Sequence, residues 1–218
     1  MTETALQDPP PATPAVRGTL HRFLPLPVMQ HHAKWFEAGP VSFALEMRVL
    51  DDGNGNPGER SISIHVFNPE RDREMVRFDC FDRFPHYHYI FTDRQENIVW
   101  GYDPDANGPM VDWSFASIRN RLPAFLRRAG EEGYARRVEE EGLDGSAIDR
   151  LRQAIEDWEP SLPSPDLMAE GRDWYVKWKT AHPQFNTATG QEFLSFLRLP
   201  SFVEPRSTRH RPAGRFRK

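Results

Sequence analysis

Cysteine is almost missing: among 218 residues only Cys80 carries a thiol. That excludes an internal disulfide framework and any four-cysteine zinc site. Long apolar runs are missing too. No stretch approaches the roughly 20 residues a bilayer span requires, and no charged-then-apolar leader opens the chain. The expectation is a cytoplasmic protein with no membrane contact. Neither sign of charge dominates: 28 Lys and Arg against 32 Asp and Glu leave a net charge of −4, which provides no global attraction to nucleic acid. Apolar residues make up 38%, short of the ~45–50% usual in a globular domain. Unstructured ends around an ordinary core would account for the deficit. Aromatic residues are plentiful, with 15 Phe and 6 Trp, enough to build that core.

The chain divides by composition. Residues 1–16 hold four prolines and almost no large apolar side chain, so they are expected to be disordered. Residues 17–160 read as one α+β domain. In it Phe23-Leu24-Pro25-Leu26-Pro27 is extended, because each proline pushes its predecessor away from helix, and a short helix is expected through 28–36. Phe43, Leu45, Met47 and Val49 alternate with Ala44, Glu46 and Arg48, the two-residue period of a half-buried strand. Ile62, Ile64 and Val66 alternate with Ser61, Ser63 and His65, so 42–67 reads as a hairpin whose long loop holds the turn residues of 51–58. Further strands are expected at 75–81, 87–91 and 97–102, completing a small antiparallel meander.

The period then changes to that of helices. Ile118, Leu122, Phe125, Leu126 and Ala129 share a helical face, with Ser114 as the expected N-cap and Pro123 as a kink or restart. A charged helix follows at 131–141, and Ser146 with Asp149 reads as the capping box of a last one, with Ile148, Leu151, Ile155 and Trp158 inward. Strands followed by helices give an α+β fold: a small antiparallel sheet, then helices, between a disordered amino-terminal tail and a basic carboxy-terminal one. Residues 161–205 form a helical or extended arm rich in Trp and Phe. The six cations of 206–218, without an acid among them, form a basic disordered tail.

The densest polar-aromatic cluster is Phe78-Asp79-Cys80-Phe81-Asp82-Arg83-Phe84-Pro85-His86-Tyr87-His88-Tyr89. On a strand, His86 and His88 share a face with Cα atoms roughly 6.5–7 Å apart, a spacing at which two imidazoles can hold one metal ion. A divalent transition metal such as zinc is the cofactor this chemistry calls for. His65, Asp79, Asp82 and Glu96 are candidates for further ligands, with Cys80 a softer one. The set put forward is His86, His88, Asp82 and His65. Asp79 and Cys80 face opposite sides of their strand, so at most one of them joins. The same histidines with Asp79 also suit metal-free acid–base chemistry, since imidazole titrates near neutrality and a carboxylate can orient it. The plain alternative is a pair of solvated rings on the outer face of a sheet whose core side holds Tyr87 and Tyr89. Cys80, between Phe78 and Phe81, reads as a buried small hydrophobe.

The succession of strand, Phe78-Asp79, Pro85-His86-Tyr87-His88, short strand and helix resembles a group of small bacterial proteins of uncharacterised function. More remotely it is similar to the TumE-type toxins of toxin–antitoxin pairs. The matching positions are Arg77, Asp79, Pro85, His86 and His88, with the helix from near Ser114, all within residues 42–129. The resemblance implies a bacterial cytoplasmic protein; long additions at both ends set this chain apart.

Two functions follow. One is an accessory, protein-binding module whose arm at 161–205 packs on a partner protein or a second copy of itself, with nucleic acid open to the basic tail. The other is a small metal-assisted hydrolase, ribonuclease-like, centred on His86 and His88.

Overall fold

The alternating segments pair into a seven-stranded, wholly antiparallel sheet. The computed structural model describes residues 18–28, 33–51, 57–82 and 85–158, with Lys177, Thr180 and Ala181. The expected amino-terminal tail, arm and basic tail lie outside the described residues, those three positions apart. The strands are β1 (Thr19–His21), β2 (Lys34–Glu37), β3 (Ser42–Asp51), β4 (Pro57–Phe67), β5 (Glu74–Phe81), β6 (His86–Phe91) and β7 (Glu96–Gly101). Four helices follow: α1 (Pro104–Asn107), α2 (Met110–Arg128), α3 (Glu132–Glu141) and α4 (Gly145–Glu156). The α+β class expected from the order of periods is the fold observed. No described helix is long and apolar enough to cross a membrane.

Strand order is β1-β7-β6-β5-β4-β3-β2. From β2 to β7 the chain is a simple meander, while β1 sits on the far edge beside β7. The link from His21 to Lys34 must therefore cross six strand spacings, about 29 Å. Residues 22–28 make the first part of that crossing over one face of the sheet. Asn97 Nδ2 on β7 donates to the Phe23 carbonyl, a guanidinium nitrogen of Arg77 on β5 donates to the Leu26 carbonyl, and Val28 packs with Ala44 and Phe67 on β3 and β4. Pro25 and Pro27 suit such a strap: they hold it extended and remove two amide donors that would otherwise need partners over the sheet. The extended reading of 23–27 thus has a purpose. The helix expected through 28–36 does not form over its last residues, because 34–36 belong to β2, where Trp35 and Phe36 pair with Ala44 and Phe43.

The opposite face is the apolar one. Phe43, Leu45, Ile62, Ile64, Val66, Val76, Phe78 and Cys80 are buried there under α2, α3 and α4. Phe78 is fully buried with its ring 5.5 Å from that of Phe125, so truncation to Ala would cost about 3–5 kcal/mol. Tyr87 and Tyr89 point to this side, their rings 5.9 and 5.8 Å from Phe125.

Two helix starts differ from expectation. The helix α2 begins at Met110, so Ser114 is an interior residue, fully buried 3.4 Å from Cys80 Sγ. Pro123 lies inside α2, which continues to Arg128 without a restart. It ends in a Schellman turn in which Gly130 takes φ +85° and the Glu131 and Gly130 amides reach the Leu126 and Arg127 carbonyls. For α4 the cap is Asp144, whose carboxylate accepts from the Ser146 amide at 2.9 Å, not Ser146 with Asp149. Asp149 pairs instead with Arg119 on α2.

Candidate metal centre

Because strand partners share a face, the register determines what meets under the strap. Asp79 lies opposite Ser63 and His86, Arg77 lies opposite His65 and His88, and Ala44 and Glu46 lie opposite His65 and Ser63. Asn97 enters the same face from β7, opposite Ile90. Every one of these polar side chains is buried: His65 and Ser63 are fully enclosed, and His88 keeps 2% of its surface. The solvated reading of the His-x-His pair is therefore corrected. The strap and the pleat bury a face that the alternation alone marks only as polar.

Asp79, His86 and His88 converge. Asp79 Oδ2 lies 3.0 Å from His88 Nε2 and 3.3 Å from His86 Nε2, and the three donor atoms fall within 4.8 Å of one another. Asp79 Oδ1 is held by the Ser63 hydroxyl at 2.5 Å. Burial alone would raise the Asp79 carboxyl, but the His88 hydrogen bond, then the charges of His86 and Arg77, hold it well below the usual carboxylate range.

The hydrogen-bond directions around His88 can be read in sequence. The Phe23 carbonyl only accepts, so the atom of Asn97 facing it at 2.7 Å must be Nδ2. Asn97 Oδ1 therefore faces His88 Nδ1 at 3.0 Å, and that nitrogen must carry the hydrogen. His88 Nε2 then turns toward a carboxylate oxygen with either a second proton or a lone pair. A lone pair there can face the ionised Asp79 Oδ2 when a cation, whether a proton or a metal ion, lies between them. A metal-bound histidine has this arrangement, its outer N–H fixed by a neighbour.

The remaining candidates lie elsewhere. His65 sits between two carboxylates, Nδ1 2.7 Å from Glu74 and Nε2 3.3 Å from Glu46. Burial would lower its pKa, but Glu74 leads the groups that raise it above the ordinary 6.5. Its place is in a buried charged chain with Glu74 and Arg77, so it does not join His86 and His88. Asp82 is exposed just past the end of β5 and is not among the converging donors. Glu96 faces the helix side, opposite Phe91. Cys80 also faces that side, and burial pushes its thiol up to about 12, as suits the hydrophobe expected from its neighbours. Arg77, one of the positions carrying the toxin resemblance, is committed to both Glu74 oxygens and the Leu26 carbonyl, each at 2.7 Å.

Sequence reasoning did not single out Ser63, Asn97, Glu46 or Glu74. Their signal was present in part: Ser61-x-Ser63-x-His65, Arg77-x-Asp79 and His86-x-His88 are all the polar halves of alternating strands. Only the register shows that these halves face one another.

No curated protein and no solved structure matches the chain. One family model matches residues 35–155, from β2 to the end of α4 and so across the whole Asp79–His86–His88 cluster. That match covers more than half of the sequence, and the chain belongs to this family, described as a domain of unknown function (DUF7700).

Proposed function

We propose that this protein is a metal-dependent hydrolase in which Asp79 Oδ2, His86 Nε2 and His88 Nε2 hold one divalent transition metal, zinc first among them. The observation that carries the reading is the convergence of the three donors with the His88 tautomer fixed by Asn97. Zinc ligands at roughly 2.0–2.1 Å in tetrahedral array stand about 3.3 Å from one another. The two separations from Asp79 Oδ2, 3.0 and 3.3 Å, match that edge.

Three protein ligands leave a fourth position for water or substrate, whereas structural zinc sites close with four. Held by Asp79, His86 and His88, zinc would lower the pKa of a bound water and polarise the group under attack. The chain's own residues do the positioning. Ser63 fixes one Asp79 oxygen so that the other faces the rings, Asn97 fixes His88, and the strap carbonyls of Phe23 and Leu26 hold the edges of the polar face together. Among hydrolytic substrates, RNA phosphodiesters are the class that the ribonuclease-like reading of His86 and His88 puts forward.

Elemental analysis tests the reading directly, on protein as purified and after reconstitution with zinc or iron followed by desalting. About one equivalent is expected, falling below a tenth in Asp79→Asn and in the His86→Ala, His88→Ala double variant. Less than a tenth of an equivalent in the unaltered protein under both conditions overturns it.

A further inference from the structure

On the other face of the sheet, the helices carry arginines in two distinct situations. Of the eight arginines on α2, α3 and α4, six lie within 4.0 Å of a carboxylate, as Arg127 does with Glu132 and Glu139 and Arg152 does with Asp112 and Glu156. Among the described residues, Arg121 and Arg128 have no such partner. Seven residues apart, they lie two turns from each other on one side of α2. Both stack on rings: Arg128 lies 4.5 Å from the Trp100 centroid and 5.0 Å from that of Tyr89, and Arg121 lies 5.8 Å from Trp113. Arg94 extends the row, 4.3 Å over Phe91 and likewise without a carboxylate partner.

These rings stand in order. Tyr87, Tyr89 and Phe91 are successive same-face residues of β6, about 6.8 Å apart, so Arg94 over Phe91 and Arg128 over Tyr89 follow the strand, and Arg121 lies over Trp113, whose ring is 5.2 Å from that of Tyr87. All three arginines are exposed, while Tyr87, Trp100 and Trp113 are each only partly buried. The helix α2 packs on β5 and β6, and Leu20 on the neighbouring edge strand is half exposed. An uncompensated cationic row backed by incompletely covered aromatics calls for a ligand that alternates negative charge with flat apolar surface.

We propose that this row is a binding site for single-stranded nucleic acid, with Arg121 and Arg128 meeting phosphates and Tyr87, Trp100 and Trp113 offering rings to bases. Successive phosphates of an extended strand alternate with bases in this way, and bases stack both on aromatic rings and on guanidinium planes. An acidic peptide would satisfy the charge but leave the rings unused. The site uses none of the metal-centre residues, which lie on the opposite face, so the two proposals stand or fall separately.

The test is fluorescence anisotropy of a labelled 12-mer of uridine with the full chain, from 50 to 200 mM salt. Arg121→Gln with Arg128→Gln should weaken binding at least tenfold at the lowest salt. It should also flatten the slope of log affinity against log salt by about 1.4, that is, about 0.7 for each lost phosphate contact. The basic residues of 206–218 act equally in both proteins, so the difference belongs to the row. Arg128→Lys, which keeps the charge and loses the planar stack, should retain the slope and lose several-fold in affinity; it serves as the reading should the double variant not fold. Glu96→Gln, which removes the carboxylate opposite Phe91, should tighten binding. Three results overturn the proposal: no anisotropy change with the unaltered protein; equal affinity and slope after substitution, which assigns binding to the tail; or displacement by polyglutamate as effective as by polyuridine, which assigns the row to an acidic protein surface.

Discussion

Replacing Glu74 by Gln should remove a measurable, acid-sensitive part of the protein's stability. Glu74 receives both Arg77 Nε and an Arg77 terminal nitrogen at 2.7 Å, and faces His65 Nδ1 at the same distance. Burial by itself would raise the Glu74 carboxyl. The Arg77 charge, followed by that of His65, reverses this and holds it at about 2, against an ordinary 4.5. A carboxyl depressed in the folded state stabilises that state above its unfolded pKa and stops doing so as pH falls through the folded one. The contribution at pH 6 is about 3 kcal/mol, and by pH 3 about half of it is gone. Urea titrations of the unaltered protein and Glu74→Gln at both pH values read the difference. At pH 6 the variant should be weaker by about 3 kcal/mol, the range expected when one partner of a buried ion pair is removed, with a melting temperature about 10 °C lower. At pH 3 the gap should narrow to about half. Parallel acid profiles would show that Glu74 does not face Arg77 and His65 as described, and would refute the reasoning.

Two further outcomes follow from neighbouring contacts. Asn97→Leu removes the acceptor that fixes the His88 tautomer, and should weaken zinc binding 10- to 100-fold in a chelator competition while Asp79, His86 and His88 remain; unchanged affinity would mean that Asn97 does not orient the ligand. Cys80, with its thiol pushed up to about 12 by burial, should not react with a thiol-specific disulfide reagent in the folded protein at pH 8 and should react fully in urea; rapid reaction in the native state would place it outside the core.

The parts of the fold legible in the sequence were those set by local period. The two arms of the 42–67 hairpin carry clear alternation and the three longer helices a helical stripe, and these, with the strands expected at 75–81, 87–91 and 97–102, have counterparts in the structure to within a few residues. The misreadings occur where tertiary contacts outweigh local preference. Residues 34–36 join the sheet because β3 offers them an open edge, and Ser114 is drawn into a helix that starts a turn earlier than its own capping tendency suggests. For the candidate site, His86, His88 and Asp79 were visible as a cluster because they lie close along the chain. Asp82 was plausible on the same grounds and His65 as a further imidazole, yet Asp82 falls beyond its strand's end, and His65, two residues past Ser63, is captured by Glu46 and Glu74. The pairing register decides which of these side chains meet: Ser63, Asp79 and His86 stand in one row across β4, β5 and β6, while Arg77 stands between His65 and His88 in the next.

That register also explains why the proline-rich link after β1 belongs to the site's architecture. A sheet in a layered domain normally buries one face and leaves the polar face to water. This sheet buries both, and on the second it encloses the carboxylates of Glu46 and Asp79, three imidazoles and a guanidinium, with Glu74 partly buried beside them. Groups of that kind are costly to remove from water unless each finds a partner. The helices cannot supply those partners, since they cover the other side. The chain between β1 and β2 has to traverse the polar face to reach the far edge, and its backbone carbonyls meet the two donors that face outward, Asn97 Nδ2 and the Arg77 guanidinium. Placing β1 beside β7 instead of beside β2 is thus what closes the polar face. A chain in which β1 paired with β2 would leave Asn97 and Arg77 without the Phe23 and Leu26 carbonyls that they now reach across the polar face.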